Sequence, residues 1–570
     1  MCKNIEHKQP VHIRIARMRR VIRDLVEIPC REDPIELSET NFLTNKYATY
    51  KCLQRFHPGV SKFTNGKTVD SALPSKYKIS KWIKQSGDRR WSAERVDVSG
   101  SEVKECEVFI KTAPLLNPIS FLRGDYSFNV KHPFIPIPGS NWRDALHKIN
   151  SYNNQAYVDS VCSFVVSRFR ELDLMPNFAL YYGGLTAIAN NYKYTVTDEY
   201  ESYRNHKWFW RGIRDKNAKL EIKPEDPDIS ELVLSCPFEK GDLEVESEDS
   251  DVTSELSSLA SGIDQSGLAD VELKSVHSLD SLDDQKSESE EMPELESGSE
   301  LDSESGSGTE ETEEPEFDVL IEIPEMPVAL IYQEAHDGTM DELLDLEDSD
   351  GHKPGSKAWE TKWLAWLWQV ITALSFLQKA IGFTHNDLHT NNIVWRSTKK
   401  QFVYYRSHNG VVWKVPTYGK IFSIIDFGRA IFHLHYKEWL SDDFELGEDA
   451  GGQYNFGPIY DKSMPLVKPN YSFDLCRLSV SLIDGLFGDE KPKTSELFDL
   501  LWSWTLDKKG DSVFETEDGE ERYPGFELYI RIAADCENAI PKDQLVKNIF
   551  ERFTLKDKSS IPKKETVYQV

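Results

Sequence analysis

The chain has 570 residues, 39% hydrophobic and 11% aromatic, enough apolar mass for one large two-lobed domain or two ordinary ones. Its formal charge of −29 is concentrated in residues 241–316, which hold 26 Asp and Glu against 2 Lys, leaving −5 for the rest and no basic surface that would imply nucleic-acid binding. Eight scattered cysteines, without C-x-x-C or zinc-type Cys/His spacing, speak against a disulfide framework or a zinc site.

Residues 1–45 form a basic N-terminal extension whose IRIARMRRVIRDLVEI has helical apolar spacing. It lacks a sustained apolar leader run, and no membrane span of about 20 apolar residues is expected, so the chain reads as soluble and cytosolic. From residue 76 the text becomes strand-like, with ECEVFIKTA (105–113) the best single strand. A helix is predicted over 154–172, with Ala156, Val161, Phe164, Val165 and Phe169 on one face, followed by a strand at 178–188.

Residues 241–316 contain no Phe, Trp or Tyr and are dominated by Ser, Glu and Asp, so disorder is expected: too little apolar surface is available to offset the entropy of ordering. Its charge makes a basic partner surface a candidate ligand. An apolar strand (327–335) follows, then a helix (357–380) whose Trp363, Trp366, Leu367, Val370, Ile371, Leu374 and Leu377 form a broad stripe best read as core. Asn409-Gly410 between two β-branched and aromatic runs (402–418) predicts a type I′ hairpin, and the chain reads as helical beyond residue 470.

Chemistry concentrates in GFTHNDLHTNNIVW (382–395) and SIIDFGRA (423–430). Phosphoryl transfer needs a carboxylate to orient the attacking hydroxyl, and an acid and an amide to hold the Mg²⁺ that neutralises the triphosphate. Asp387, Asn392 and Asp426 supply these in order, matching the kinase H-x-D-L-x-x-x-N and D-F-G elements. Lys111, ending V-F-I-K, is then the lysine for the α- and β-phosphates of ATP, with Asp159 as its helix partner and Glu171 as the alternative. The strand at 327–335 becomes the hinge strand, with Gln333 at the back of the nucleotide pocket and backbone groups of Glu334 to His336 against adenine. The expected fold is therefore α+β and bilobal, protein-kinase-like. A β-rich N-lobe (46–240) precedes the acidic insertion, and the hinge with a mainly helical C-lobe (317–570) follows it.

FIKTAPLLNP (109–118), NNQAYVDSVCSFVVSRF (153–169), DFGRAIF (426–432), GGQYNF (451–456), KPNYSFDLCRLSVSL (468–482) and ERYPGFELY (521–529) resemble the serine/threonine protein kinases of large nucleocytoplasmic DNA viruses. The resemblance spans most of residues 76–550 outside the acidic stretch. It implies Ser/Thr protein substrates, packaging in virions and presence in the host cytoplasm, and it makes Asp474 similar to the buried aspartate that anchors a catalytic loop. The pattern also departs from ordinary kinases. There is no G-x-G-x-x-G, only Gly87 in KQSGDRRW (84–91); His389 stands where a lysine is usual; no A-P-E follows the D-F-G, and control by loop phosphorylation is not expected. His389 favours a small-molecule phosphotransferase of the same fold as runner-up, and the degenerate glycine loop motivates a catalytically impaired scaffold as a third reading.

Overall fold

The computed structural model describes residues 50–55, 58, 73, 75–97, 102–126, 136, 145–197, 199–215, 217–223, 235–238, 318–344, 352–434, 437–488, 491–516 and 519–570. The expectations for 1–45 and 241–316 lie outside them. Seven strands form one antiparallel sheet: β1 (Tyr50–Gln54), β2 (Tyr77–Gly87), β3 (Arg90–Asp97), β4 (Val103–Pro114), β5 (Tyr181–Thr195), β6 (Lys219–Lys223) and β7 (Asp318–Glu334). Their order is β1-β5-β7-β4-β3-β2, with β6 also on β7. β7 is central, yet it contains Pro324 and Pro327, which cannot donate to a ladder. β6 pairs with residues 318–322 and β4 with 328–334, so both prolines fall in the gap where only β5 lies alongside.

Helix α1 (Gln155–Glu171) starts at Asn154, whose side chain accepts the N–H of Ala156. The expected single apolar face understates its burial, because Ala156 through Ser167 are all buried. The reason is its position between two cores. Ala156 and Tyr157 join the sheet's core with Ile110, Leu185, Val328 and Tyr332. Phe164 and Phe169 join the other, where Phe169 packs edge-on against Phe376 with ring centroids 5.1 Å apart.

That second core is built around α2 (Lys357–Ile381), capped by Ser356 at its start and by Gly382 in the left-handed conformation at its end. Among the described residues α2 alone is long and apolar enough to cross a membrane, but it lies buried inside the protein. Against it pack α3 (Phe473–Phe487) and α4 (Glu496–Thr505), and α5 (Phe526–Asp535) packs on α3. A short sheet of β8 (Gly338–Thr339), β9 (Ile393–Ser397) and β12 (Lys420–Ile424) brings the two motif loops together, with Ile393 opposite Ile424. The intervening hairpin is β10 (Phe402–Arg406) with β11 (Val412–Pro416). A second hairpin, β13 (Phe432–Leu434) with β14 (Lys437–Trp439), follows, and β15 (Val567–Gln569) joins β10 in parallel. The type I′ expectation is corrected: Ser407 N–H bonds Val411 O at 3.0 Å, so three residues turn the chain and only Gly410 has positive φ, at 87°. A type I′ turn requires positive φ at both central residues, and a three-residue loop needs it at one.

Trp368 packs against Trp413 and Phe550 with ring centroids 5.0 and 4.9 Å away. Trp368→Ala is expected to cost about 3–5 kcal/mol in urea denaturation. Ile83→Ala, at an exposed position, should stay within about 0.5 kcal/mol of wild type.

Candidate active site

Asp474, buried in the first turn of α3, accepts the backbone N–H of both His385 and Asn386 at 3.0 Å. Burial pushes its carboxyl above the ordinary value, and these donors together with His385 oppose that. The loop it holds is conformationally unusual, for Asn386 has φ 66°. Asn386 is kept there from three sides: its amide donates to Arg429 O at 2.7 Å, its Oδ1 accepts from Tyr454 Oη at 2.8 Å, and its backbone O accepts from Gln453 Nε2 at 3.4 Å. The ring of His385 bonds Ile425 O through Nε2 at 2.8 Å, which ties this loop to the one carrying Asp426.

Lys111 projects from β4 between two carboxylates, 2.6 Å from Asp159 Oδ2 and 2.6 Å from Asp426 Oδ1. Burial alone would lower its pKa, but the two acids hold it above the ordinary lysine value. Asp159 is almost fully buried, and its other oxygen accepts Phe427 N–H at 3.1 Å and Ser163 Oγ at 3.2 Å. Glu171, the alternative partner, instead pairs with Arg168 and caps the N–H of Lys76. Asp426 has φ 63° and a side chain 43% exposed to the cleft. Burial would raise its carboxyl, and Lys111 more than offsets this, so it sits well below the usual carboxylate range.

Asn392 donates through Nδ2 to Asp387 O at 2.9 Å and lies 3.0 Å from His389 Nε2. Those contacts use its amide hydrogens and make His389 Nε2 the acceptor, which requires the neutral Nδ1–H tautomer. Burial lowers the His389 pKa, against the pull of Asp387, in agreement with a neutral ring. The Asn392 carbonyl oxygen is thus left for a ligand. Together with Asp426 it offers an oxygen-only donor pair of the kind Mg²⁺ takes alongside phosphate oxygens. No larger His/Cys/Asp/Glu metal cluster occurs among the described residues. Asp387 itself accepts Tyr529 Oη at 2.9 Å, and Arg429 lies 3.8 Å from the same oxygen.

At the end of β7, Gln333 Nε2 donates to Ser163 Oγ at 2.9 Å, one step from Asp159. Glu334 forms a two-pronged ion pair with Arg170 from α1, and despite burial its carboxyl falls to about 2. Among the backbone groups of Glu334 to His336 expected against adenine, two N–H groups are already committed: Glu334 N–H to Leu180 O at 2.8 Å and Ala335 N–H to Glu107 O at 3.1 Å. His336 is buried, and burial with the nearby Arg396 and Arg170 lowers it to about 4. Gly87 closes the β2–β3 hairpin, immediately before the strand that pairs with the lysine strand β4. The turn carries Arg89 at φ 51° rather than a run of glycines.

Sequence reasoning missed a set of carboxylates after the D-F-G. Asp442 Oδ1 accepts Gln155 N–H at 2.8 Å at the start of α1, and Lys148 contacts both Asp442 at 3.5 Å and Glu448 at 2.6 Å. Asp443 pairs with Arg429 at 2.6 Å, and Asp449 accepts from Asn117 at 2.9 Å. Burial raises Asp442 to about 7, with Lys148 opposing. Nothing in local spacing marks these residues, although GGQYNF, which contributes Gln453 and Tyr454, was visible as a motif.

His336 generates a pH prediction. Its pKa in the fold is below its ordinary 6.5, so the unfolded chain takes up the proton first and stability falls as pH drops from about 6.5 towards 4. The loss attributable to this ring is about 2–3 kcal/mol, and unfolding free energies from urea denaturation at pH 7 and pH 4 should differ by that much less in His336→Phe. The fold is α+β, a seven-stranded antiparallel sheet beside a mainly helical core. No family model matches the chain, and no curated protein matches it. Among solved structures it aligns with a "ROP18 kinase domain in complex with AMP-PNP and sucrose" at 9% identity, over 94% of this chain and 92% of that one, with a TM-score of 0.28.

Proposed function

We propose that the chain is an ATP-dependent phosphotransferase acting on Ser and Thr hydroxyls of proteins. The observation that carries this reading is the convergence, across both cores, of Lys111 paired with Asp159 and Asp426 beside a loop in which Asp474 fixes the residues preceding Asp387. In this reading Lys111 holds the α- and β-phosphates, and Gln333 and the His336 backbone border the base. Gly87 and its hairpin cover the nucleotide. Asp387 orients the acceptor hydroxyl and takes its proton. Asp426 and the Asn392 carbonyl would hold Mg²⁺, which when bound neutralises charge on the triphosphate. His389, neutral and bonded to Asn392, positions that amide rather than supplying a cation. The resemblance to viral protein kinases supports protein acceptors and a place in the virion and host cytoplasm.

A second reading, a small-molecule phosphotransferase of the same fold, is favoured by one observation: the group two residues after Asp387 is an uncharged histidine instead of lysine.

Incubation with γ-labelled ATP and Mg²⁺ should label protein serines or threonines, and label appearing only in an amino alcohol or sugar would select the second reading. Asp387→Asn is expected to lower kcat by about 10²–10⁴-fold. Chelating Mg²⁺ should abolish transfer, reversibly on adding it back. Transfer by Asp387→Asn at the wild-type rate would show the mechanism to be wrong.

A further inference from the structure

Asp387 does not meet solvent freely. Both of its side-chain contacts fall on Oδ1, where Tyr529 Oη donates at 2.9 Å and Arg429 lies at 3.8 Å. Among the described residues no contact is made to Oδ2. Tyr529 arrives from α5, 142 positions along the chain, and its ring is clamped. Phe526 stacks on it at 5.4 Å between centroids, Phe473 packs at 5.9 Å, and the Arg477 guanidinium sits 5.2 Å from its centroid. The far end of α5 is pinned as well, because Asn470 Nδ2 donates to Ile532 O, Ala533 O and Cys536 O at 3.2, 3.1 and 2.7 Å.

A phenol so placed is either an obstruction that an acceptor hydroxyl must displace or a fixed part of the site. The clamp decides between these. Phe473 and Arg477 flank Asp474 on α3, the residue that holds the His385 and Asn386 backbone, so one helix locates both the base and the hydroxyl bonded to it. Displacing Tyr529 would mean unpacking two aromatic rings and a guanidinium. With Oδ1 occupied, Oδ2 is the oxygen that meets the acceptor.

We propose that Tyr529 is a positioning residue for phosphoryl transfer, its hydroxyl holding Asp387 Oδ1 so that Oδ2 faces the acceptor hydroxyl. The inference rests on the kinase reading above. The other charged or titratable groups around Asp387 are Arg429, itself paired with Asp443, His389 on the same loop, and Arg477 behind the tyrosine ring.

The test uses the full chain and steady-state transfer from γ-labelled ATP. Tyr529→Phe should lower kcat about tenfold with KM for ATP unchanged. A Tyr529→Phe enzyme as active as wild type or more so, or one whose KM for ATP rises as kcat falls, would overturn the proposal. Should that variant fold poorly, 3-fluorotyrosine placed at 529 keeps both the shape and the donor. Its kcat should then stay within about twofold of wild type, and a fall as large as that expected of Tyr529→Phe would count against the role. A wild-type chain that transfers no phosphate would instead remove the kinase reading itself, a result distinct from either.

Discussion

The structure turns on one ammonium group held between two carboxylates. Lys111 belongs to the sheet, Asp159 to the helix shared by both cores, and Asp426 to the loop beyond β12, so a single side chain fixes three elements that have no covalent reason to meet. Asp159 is nearly inaccessible, and losing Lys111 would strand a buried charge, a change that costs about 3–5 kcal/mol where it has been measured. Gln333 and Ser163 extend the same polar chain to the end of β7, and Phe427 N–H extends it to the loop beyond β12. The site is thus continuous from the end of β7 to Asp426.

The lower half is organised by α3 in a different manner. Its contribution is backbone recognition: Asp474 reads two consecutive N–H groups and imposes a left-handed residue at Asn386. Tyr454 and Gln453 then complete the enclosure of Asn386 from the segment that follows the D-F-G. That segment is itself attached to the start of α1 through Asp442 and to Arg429 through Asp443.

Much of this was legible in the sequence because the chemistry is compressed into short motifs. Asp387 and Asn392 share one short motif and Asp426 sits in a second, and Lys111 with Asp159 follows from a strand end and a later helix. What was not legible depends on distance along the chain. Tyr529 meets Asp387 across 142 positions and Asp442 meets Gln155 across 287, and no periodicity records such pairings. Helices α1 and α2 showed stripes in the text but are buried nearly all round, since each lies between elements that local spacing cannot see. The hairpin at 407–411 misled because Asn-Gly suits a two-residue turn, whereas strand pairing required three residues and used only the glycine.

The β6–β7 pairing places Lys223 directly opposite Asp318, so the two positions that bracket residues 224–317 are backbone neighbours. For a flexible connection, doubling the length adds only about 0.6 kcal/mol of closure cost. Because those two positions already meet, lengthening the chain between them adds little closure cost to the sheet that carries Lys111.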